Sequence, residues 1–185
     1  LQNAAIVYGG SEPSVSNKPE EYNGSSWAEG GTLITARLNI SKGFGTQNAA
    51  MAAGGRTPTI VSCGEEYNGT SWSAGGNLIT ARRTAGAAGT QNSGLVFGGA
   101  TPTVVSCNEE YNGTSFSTGG AMITARCDLA GGGTQNAGVA FGGATPTLSG
   151  ATEQYDGSAW TTSVTMITAR LGLNGAGCQN AAVAF

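Results

Sequence analysis

The most restrictive feature of this sequence is an internal repeat of about 44 residues. The dipeptide Gln-Asn recurs at spacings of 45, 44, 44 and 44 residues, beginning at Gln2, Gln47, Gln91, Gln135 and Gln179. A fixed period of this length is typical of chains that stack copies of one supersecondary unit, because a single copy cannot bury its apolar face alone. The 185 residues therefore predict one domain, 1–185, built from repeat units.

Every unit carries the same signature of a glycine pair, a tyrosine and a second aromatic residue. The unit boundaries fall at approximately 1–36 (partial), 37–81, 82–125, 126–169 and 170–185 (partial). We expect the aromatic rings to fill the space between successive units. The signature residues are Gly9, Gly10, Gly54, Gly55, Gly98, Gly99, Gly142 and Gly143, then Tyr22, Tyr67, Tyr111 and Tyr155, and finally Trp27, Trp72, Phe116 and Trp160.

Each unit divides into four short strand candidates, and no stretch shows helical periodicity. The first strand is rich in Gly and Ala, which suits a place where backbones approach closely. The second is apolar and ends at the glycine pair, the third ends at the tyrosine, and the fourth holds the second aromatic residue. Examples in order are Thr84–Thr90 or Leu129–Thr134, Ser93–Phe97 or Ala137–Phe141, Val104–Tyr111, and Thr70–Ser73.

A turn separates the third strand from the fourth in every unit. It is marked by Asn-Gly or Asp-Gly, at Asn23-Gly24, Asn68-Gly69, Asn112-Gly113 and Asp156-Gly157. These residue types tolerate positive φ, so the dipeptide predicts a two-residue type I′ hairpin turn. The glycine pairs and the Thr-Pro-Thr segments mark the other turns.

Four strands in about 44 residues are typical of one blade of a β-propeller. The order of Arg, small-residue strand, diglycine, Glu-Tyr and aromatic residue resembles the kelch repeat, as in Arg82, Gly98-Gly99, Glu110-Tyr111 and Phe116. The resemblance implies an all-β, kelch-like β-propeller of four to five short four-stranded blades. The Gly/Ala/Asn-rich units also resemble kelch-like arrays of predicted phage virion and tail proteins and of marine metagenomic proteins.

The number of predicted strands of each kind does not correspond to a closed ring of complete four-stranded blades. The sequence opens on a second strand, Leu1–Tyr8, and closes on a fifth copy of it, Gln179–Phe185. The expected totals are four first, five second, four third and four fourth strands. The chain is therefore interpreted as a ring, as a segment of a longer array, or as an arc or permuted ring completed by another chain. An unpaired terminal strand favours self-association.

Composition excludes several classes of function. The formal net charge is −3 with eight Lys and Arg residues, so no basic patch is expected to bind nucleic acid. No apolar run approaches the roughly 18 residues that membrane insertion needs. The chain has no histidine, which removes Ser-His-Asp and Cys-His catalysis and His-ligated metals.

The acidic pairs and the cysteines do not alter this picture. The paired carboxylates, such as Glu65-Glu66, are adjacent in a strand and point to opposite faces, so they cannot flank one scissile bond. The four cysteines form no C-x-x-C motif, and we expect them to be free thiols. No catalytic residue, metal or cofactor is predicted, and the chain is not expected to be an enzyme.

The arginines that precede the first strands are the candidate partner-binding residues. The kelch resemblance implies that they lie near the mouth of a central channel, where guanidinium groups bind acidic partners well. The alternative is an internal ion pair with a glutamate that repeats in step, namely Glu21, Glu66, Glu110 or Glu153. The arginines are Arg37, Arg82, Arg126 and Arg170.

Two further repeated features have a functional and a structural interpretation. The Gln-Asn amides and the tryptophans are suited to binding sugars. The amides are better suited to hydrogen-bonding loop backbone between units, and the tryptophans, which repeat in step at the start of the fourth strand, are better suited to packing between units. We therefore favour the structural interpretation for both.

These observations predict a non-catalytic structural or binding module. The second resemblance favours a component of a phage virion or another extracellular surface assembly that contacts proteins or a host receptor. No signal peptide is visible, so localisation stays open. The alternatives are a lectin-like glycan-binding propeller and an adaptor that binds acidic peptides at an arginine ring.

Overall fold

The computed structural model describes residues 3–185, which form 19 β-strands and no helix. No helix capable of spanning a membrane therefore exists in this part of the chain. The all-β prediction is confirmed. Leu1 and Gln2, the first residues of the predicted opening strand, lie outside the described residues.

Three complete sheets repeat along the chain, each with four antiparallel strands in sequence order. In the middle sheet, for example, successive strands are joined by two residues (91–92), by ten residues (98–107) and by four residues (112–115). The sheets are β6 (Phe44–Thr46), β7 (Ala49–Ala53), β8 (Gly64–Tyr67) and β9 (Trp72–Gly75); β10 (Gly86–Thr90), β11 (Ser93–Phe97), β12 (Asn108–Tyr111) and β13 (Phe116–Gly119); and β14 (Ala130–Thr134), β15 (Ala137–Phe141), β16 (Thr152–Tyr155) and β17 (Trp160–Thr162).

Incomplete sheets lie at both ends of the array. The opening sheet has a second, third and fourth strand, and the closing sheet has only a first and second strand. The predicted tally of first to fourth strands is confirmed for residues 3–185, and a small hairpin adds two strands. The opening sheet contains β1 (Ala5–Tyr8), β4 (Pro19–Tyr22) and β5 (Trp27–Glu29), the hairpin β2 (Ser11–Glu12) and β3 (Ser14–Val15), and the closing sheet β18 (Gly175–Cys178) and β19 (Ala181–Ala184).

The turn between the third and fourth strands differs from the prediction. Tyr67 pairs directly with Trp72, so the loop has four residues, Asn68–Ser71. The prediction of a two-residue type I′ turn is therefore wrong. Only the glycine has positive φ, at 90° for Gly69. The Asn68 side-chain oxygen instead accepts the N–H groups of Thr70 and Ser71, each at 2.9 Å, as in an Asx-turn.

The two-residue hairpin loop is the Gln-Asn dipeptide. Thr90 pairs with Ser93, which leaves Gln91 and Asn92 as the loop between β10 and β11. The predicted second strands Ser93–Phe97 and Ala137–Phe141 are confirmed to the residue. The predicted third strand Val104–Tyr111 is shorter, because Val104 forms an isolated bridge to Ala100 across the Thr-Pro-Thr turn.

The first strands of successive sheets pack against one another, and a backbone hydrogen-bond column joins them. The N–H of Thr84 donates to the Asn39 carbonyl, that of Asp128 to Thr84, and that of Gly172 to Asp128, each at 2.9 Å. All four residues have positive φ, between 52° and 72°. We call Asn39, Thr84, Asp128 and Gly172 the backbone column.

Small residues are required where the first strands meet. A Cβ atom at Gly131 would lie 2.3 Å from the ring of Phe97 and 3.0 Å from the Ala87 carbonyl oxygen. The Gly/Ala composition of the first strand therefore reflects close backbone approach, as the sequence predicts.

The hydrophobic core consists of one cluster between each pair of neighbouring sheets. Phe44 and Met51 of one sheet pack with Val96, Tyr111 and Phe116 of the next. The ring of Phe97 contacts that of Trp160 in the following sheet, with centroids 4.9 Å apart. The predicted packing role of the aromatic signature is confirmed for these residues.

Candidate functional site

The repeated arginines occupy two different environments. Arg37, Arg82 and Arg126 have 0% of their surface exposed, whereas Arg170 is exposed. A partner on the surface cannot reach the three buried guanidinium groups. The predicted arginine ring is therefore not an accessible surface at these three positions.

Each buried arginine forms an ion pair with a glutamate on the third strand of its own sheet. The Nη2 atom of Arg126 lies 2.9 Å from Glu153 Oε1, and Arg37 lies 2.9 Å from Glu65. Arg82 pairs with Glu109 in the same way. The internal ion-pair interpretation holds, but the partners in two sheets are Glu65 and Glu109 rather than the predicted Glu66 and Glu110.

Backbone groups supply the other hydrogen bonds of this arginine–glutamate site, whereas the Nε atoms of Arg37 and Arg126 are buried without a hydrogen-bond partner in the described part of the chain. Arg126 Nη1 donates to the carbonyls of Gly142 at 2.9 Å and Ala151 at 2.6 Å. The Glu153 carboxylate accepts the N–H groups of Ile123 at 2.7 Å and Thr124 at 3.2 Å. A buried ion pair needs such additional hydrogen bonds to offset its desolvation.

The electrostatics of the site follow from this burial. Desolvation lowers the pKa of Arg126 from its ordinary value, and the adjacent Glu153 carboxylate opposes that shift. The carboxylates of Glu65, Glu109 and Glu153 each accept hydrogen bonds from one guanidinium and from two backbone N–H groups. Their role is therefore structural. They hold the loop before each first strand against the third strand of the same sheet.

The second glutamate of each acidic pair bonds to the next sheet. The hydroxyl of Tyr111 donates to Glu66 at 2.6 Å, and that of Tyr155 donates to Glu110 at 2.5 Å. Tyr67 donates to Glu21 in the same way. Burial first, and then the neighbouring carboxylate, raises the pKa of Tyr111 and of Tyr155 to about 12.

The remaining candidate residues are also used within the array. The Gln91 amide donates to the carbonyls of Ala50 at 3.0 Å and Tyr67 at 2.8 Å, both in the preceding sheet, and Gln135 and Gln179 repeat this arrangement. The predicted backbone role of these amides is confirmed. Trp72 and Trp160 are buried, whereas Trp27 of the incomplete opening sheet is 50% exposed.

No family model matches this chain, and a search of curated proteins found no match either. Among residues 3–185 no three His, Cys, Asp or Glu side chains are grouped to hold a metal ion. The four cysteines are free, with Cys178 exposed and the other three partly buried.

One surface feature was missed by the sequence reasoning. An isoleucine three residues before each repeated arginine is exposed, by 62%, 60%, 57% and 105% of its reference area for Ile34, Ile79, Ile123 and Ile167. The preceding residue is buried at Leu33, Leu78 and Met122 and half-buried at Met166. The repeated Ile-Thr-Ala-Arg segment carries the signal, but only the structure shows which apolar residue faces outward. We call these four residues the isoleucine row.

Proposed function

We propose that this chain is a non-catalytic structural module that binds other proteins through the isoleucine row. The observation that carries the proposal is the contrast within each unit. The repeated arginine, glutamates, tyrosine and glutamine bond to one another or to backbone, while the isoleucine of the same segment faces outward. Exposed apolar patches mark interaction sites on soluble proteins, and the row places one exposed isoleucine in each of four units.

The row is held on a rigid support. The backbone N–H groups of Ile34, Ile79 and Ile123 each donate to a buried glutamate at 2.7 Å. A backbone that is already held in place loses little conformational entropy when a partner binds the side chain that it carries. Fully burying one isoleucine contributes about 1.5–3 kcal/mol, so several equivalent contacts add to a useful affinity.

The proposal includes a kelch-type propeller as the architecture. The sequence-ordered antiparallel sheets and the packing of their first strands support this arrangement, with each complete sheet as one blade. Four or five blades follow from the tally of strands. The resemblance to phage and metagenomic arrays makes a virion or another surface assembly the proposed setting.

The two alternative functions have less support. A glycan-binding role would use amides and tryptophans, but these glutamines bond to backbone and Trp72 and Trp160 are buried. An acidic-peptide adaptor would use the arginine ring, three members of which are paired inside the array.

Site-specific photocross-linking tests the proposed surface. A cross-linking amino acid is placed at Ile79, and a matched control at Val164, which is 85% exposed and outside the row. Surface proteins extracted from the source organism or particle serve as the probe. We expect a discrete adduct from position 79 that is lost when Ile123→Asn is added.

Two results would contradict this proposal. Equal labelling from positions 79 and 164 would mean that the row is not a specific surface. Saturable binding of free sugars, with a stoichiometry near the number of units, would favour the glycan-binding alternative.

A further inference from the structure

We propose that three of the turns between third and fourth strands modify themselves. The asparagine of each Asn-Gly dipeptide closes a succinimide ring on the nitrogen of the following glycine and loses ammonia. Water then opens the ring and leaves aspartate or isoaspartate. The sites are Asn23, Asn68 and Asn112. They lie outside the segments that carry the isoleucine row, so this inference is independent of the proposed function.

Each turn holds two backbone donors against the oxygen that becomes charged in the reaction. The side-chain oxygen of Asn68 accepts two turn N–H groups, both at 2.9 Å. That of Asn112 accepts two at 3.0 and 2.9 Å, and that of Asn23 accepts two at 3.0 Å. When the glycine nitrogen attacks the side-chain carbon, this oxygen becomes an oxyanion. Two preorganised N–H donors at these distances form an oxyanion hole.

The fourth turn shows that these donors stabilise a negative charge on the same oxygen. Asp156 occupies the asparagine position, and its Oδ1 accepts the N–H groups of Ser158 and Ala159, both at 2.9 Å. The hydrogen bond from the Ala159 N–H, and then those from Ser158, lower the pKa of this carboxyl below its ordinary value. The turn therefore also accommodates the aspartate that the reaction leaves.

The fold fixes the residue that supplies the attacking nitrogen. The φ angle is 90° at Gly69 and 89° at Gly113, in the left-handed region that favours glycine. Glycine has no side chain to hinder its nitrogen, and among residues 3–185 these two N–H groups donate to no backbone carbonyl. Asn68 and Asn112 are exposed, so water reaches both sites.

The chemistry balances with water as its only co-reactant. The Gly69 nitrogen forms a bond to Asn68 Cγ and gives its proton to solvent, while the Cγ–Nδ2 bond breaks and the amide nitrogen leaves as ammonia with a proton taken from solvent. Holding the two groups in one turn makes the attack intramolecular. Water then adds to one of the two ring carbonyls. Addition at Cγ gives aspartate, and addition at the main-chain carbon gives isoaspartate.

The new charges appear at an end of the sheets that is nearly neutral. The Gln-Asn loops and the third-to-fourth-strand turns meet there, since a Cβ at Gly113 would lie 3.3 Å from Asn92 Oδ1. Asp156 is the one ionisable residue in both sets of loops, 23–26, 47–48, 68–71, 91–92, 112–115, 135–136, 156–159 and 179–180. Complete reaction adds a carboxylate to each of three turns, so the negative charge of this surface increases with the age of the protein.

The chain contains its own control for the effect of the turn. Asn174-Gly175 is the same dipeptide in an exposed position, but it lies outside the turns. Two backbone hydrogen bonds, of 2.8 and 3.1 Å, hold Asn174 in an extended pairing with Phe185. The pair of turn donors found at Asn68 and Asn112 is not formed at Asn174.

Peptide mapping by mass spectrometry during incubation in mildly alkaline buffer tests the proposal. We expect a product that lacks one ammonia, and then aspartate and isoaspartate, at Asn23, Asn68 and Asn112. In folded protein Asn174 should react more slowly by roughly tenfold or more, because it lacks the oxyanion hole. In urea all four positions should react at similar rates, since the same dipeptide then has the same surroundings.

Two variants isolate the chemistry at one turn. Asn68→Gln should abolish the reaction at position 68, because the longer side chain would have to close a less favourable six-membered ring, while Asn112 reacts as in wild type. Asn68→Asp reproduces the expected product. It should fold like wild type by circular dichroism, because Asp156 occupies the equivalent position.

Three results would overturn the proposal. Slower reaction of Asn68 and Asn112 in folded protein than in urea would mean that the turns protect these asparagines. Equal rates at the turn sites and at Asn174 in folded protein would mean that the dipeptide alone determines reactivity. Aspartate formed without any product that lacks ammonia would mean direct hydrolysis rather than ring closure.

Discussion

Arg126 shows what a buried charge requires at the scale of a single residue. Its guanidinium is fully buried and bonds to Glu153 and to two backbone carbonyls. Removal of the arginine leaves Glu153 buried without its counter-ion. We expect Arg126→Ala to lower the free energy of unfolding by about 3–5 kcal/mol, measured by urea denaturation.

The exposed Arg56 provides the matched comparison for Arg126. Arg56→Ala should change the free energy of unfolding by no more than about 0.5 kcal/mol. Equal losses for the two variants would mean that the ion pair contributes nothing beyond the general effect of removing an arginine.

The tyrosine–glutamate bonds predict a pH dependence in the alkaline range. The folded-state pKa values of Tyr111 and Tyr155 are raised from 10.0 to about 12. Their stabilisation is therefore complete below pH 10 and is lost as the pH rises through about 12, because the unfolded chain ionises first. The double variant Tyr111→Phe/Tyr155→Phe should show a shallower fall in the free energy of unfolding over this range.

Tyr22→Phe is the control for this pH measurement. Tyr22 donates to no carboxylate in the part of the chain that the structure describes. Its substitution should leave the alkaline slope unchanged. A wild-type slope retained in the double variant would exclude the two hydroxyls as its cause.

The sequence predicts that arginine and glutamate repeat in step, but not which glutamate is the partner. Glu65 and Glu66 are adjacent and face opposite sides of β8, so strand register decides which one meets Arg37. The same limit applies to Ile79 and Leu78, one exposed and one buried. Which glutamate forms the ion pair and which apolar residue is exposed depend on the packing of the neighbouring sheet, and a local sequence pattern carries no information about that packing.

At the scale of elements, the backbone column carries an unfavourable residue. Thr84 has φ of 53°, a conformation that is costly for a β-branched side chain, whereas Asn39, Asp128 and Gly172 occupy the equivalent positions. We expect Thr84→Asn to raise the free energy of unfolding by about 1 kcal/mol. Chemical denaturation measures the change.

The reverse substitution at the equivalent position is the control for Thr84. Asn39→Thr should destabilise the protein by a similar amount, because it introduces the same strain at φ of 52°. A lower free energy of unfolding for Thr84→Asn would contradict this prediction, because it would mean that the positive φ of Thr84 does not strain the backbone.

The ends of a strand were predictable from the sequence where an apolar run stops at an unambiguous turn signal. The apolar second strands Ser93–Phe97 and Ala137–Phe141 end at glycine pairs that adopt positive φ, so their ends were predicted correctly. The Asn-Gly turn was not, because asparagine can either adopt positive φ itself or accept hydrogen bonds through its side chain. In the loop Asn68–Ser71 the side chain accepts them, and the loop gains two residues.

At the scale of the whole molecule, burial falls from the centre of the array to its ends. The second strands β7, β11 and β15 are mostly buried, whereas β19 is mostly exposed. In repeat arrays each unit is stabilised mainly by its neighbours. We expect amide hydrogen exchange of dilute protein to be slowest in β11 and fastest in β19, as measured by mass spectrometry.

Equal exchange rates along the array would contradict this gradient. They would mean that the molecule opens only as one cooperative unit.

The junction between neighbouring sheets has one further consequence. The two junctions between complete sheets are made from the same parts: a tyrosine hydroxyl on a glutamate, a glutamine amide on two carbonyls and one hydrogen bond of the backbone column. A unit added to or removed from the middle of the array would meet matching groups on both sides. Unequal recombination between the repeated coding segments can therefore change copy number in a single step and leave every remaining junction intact.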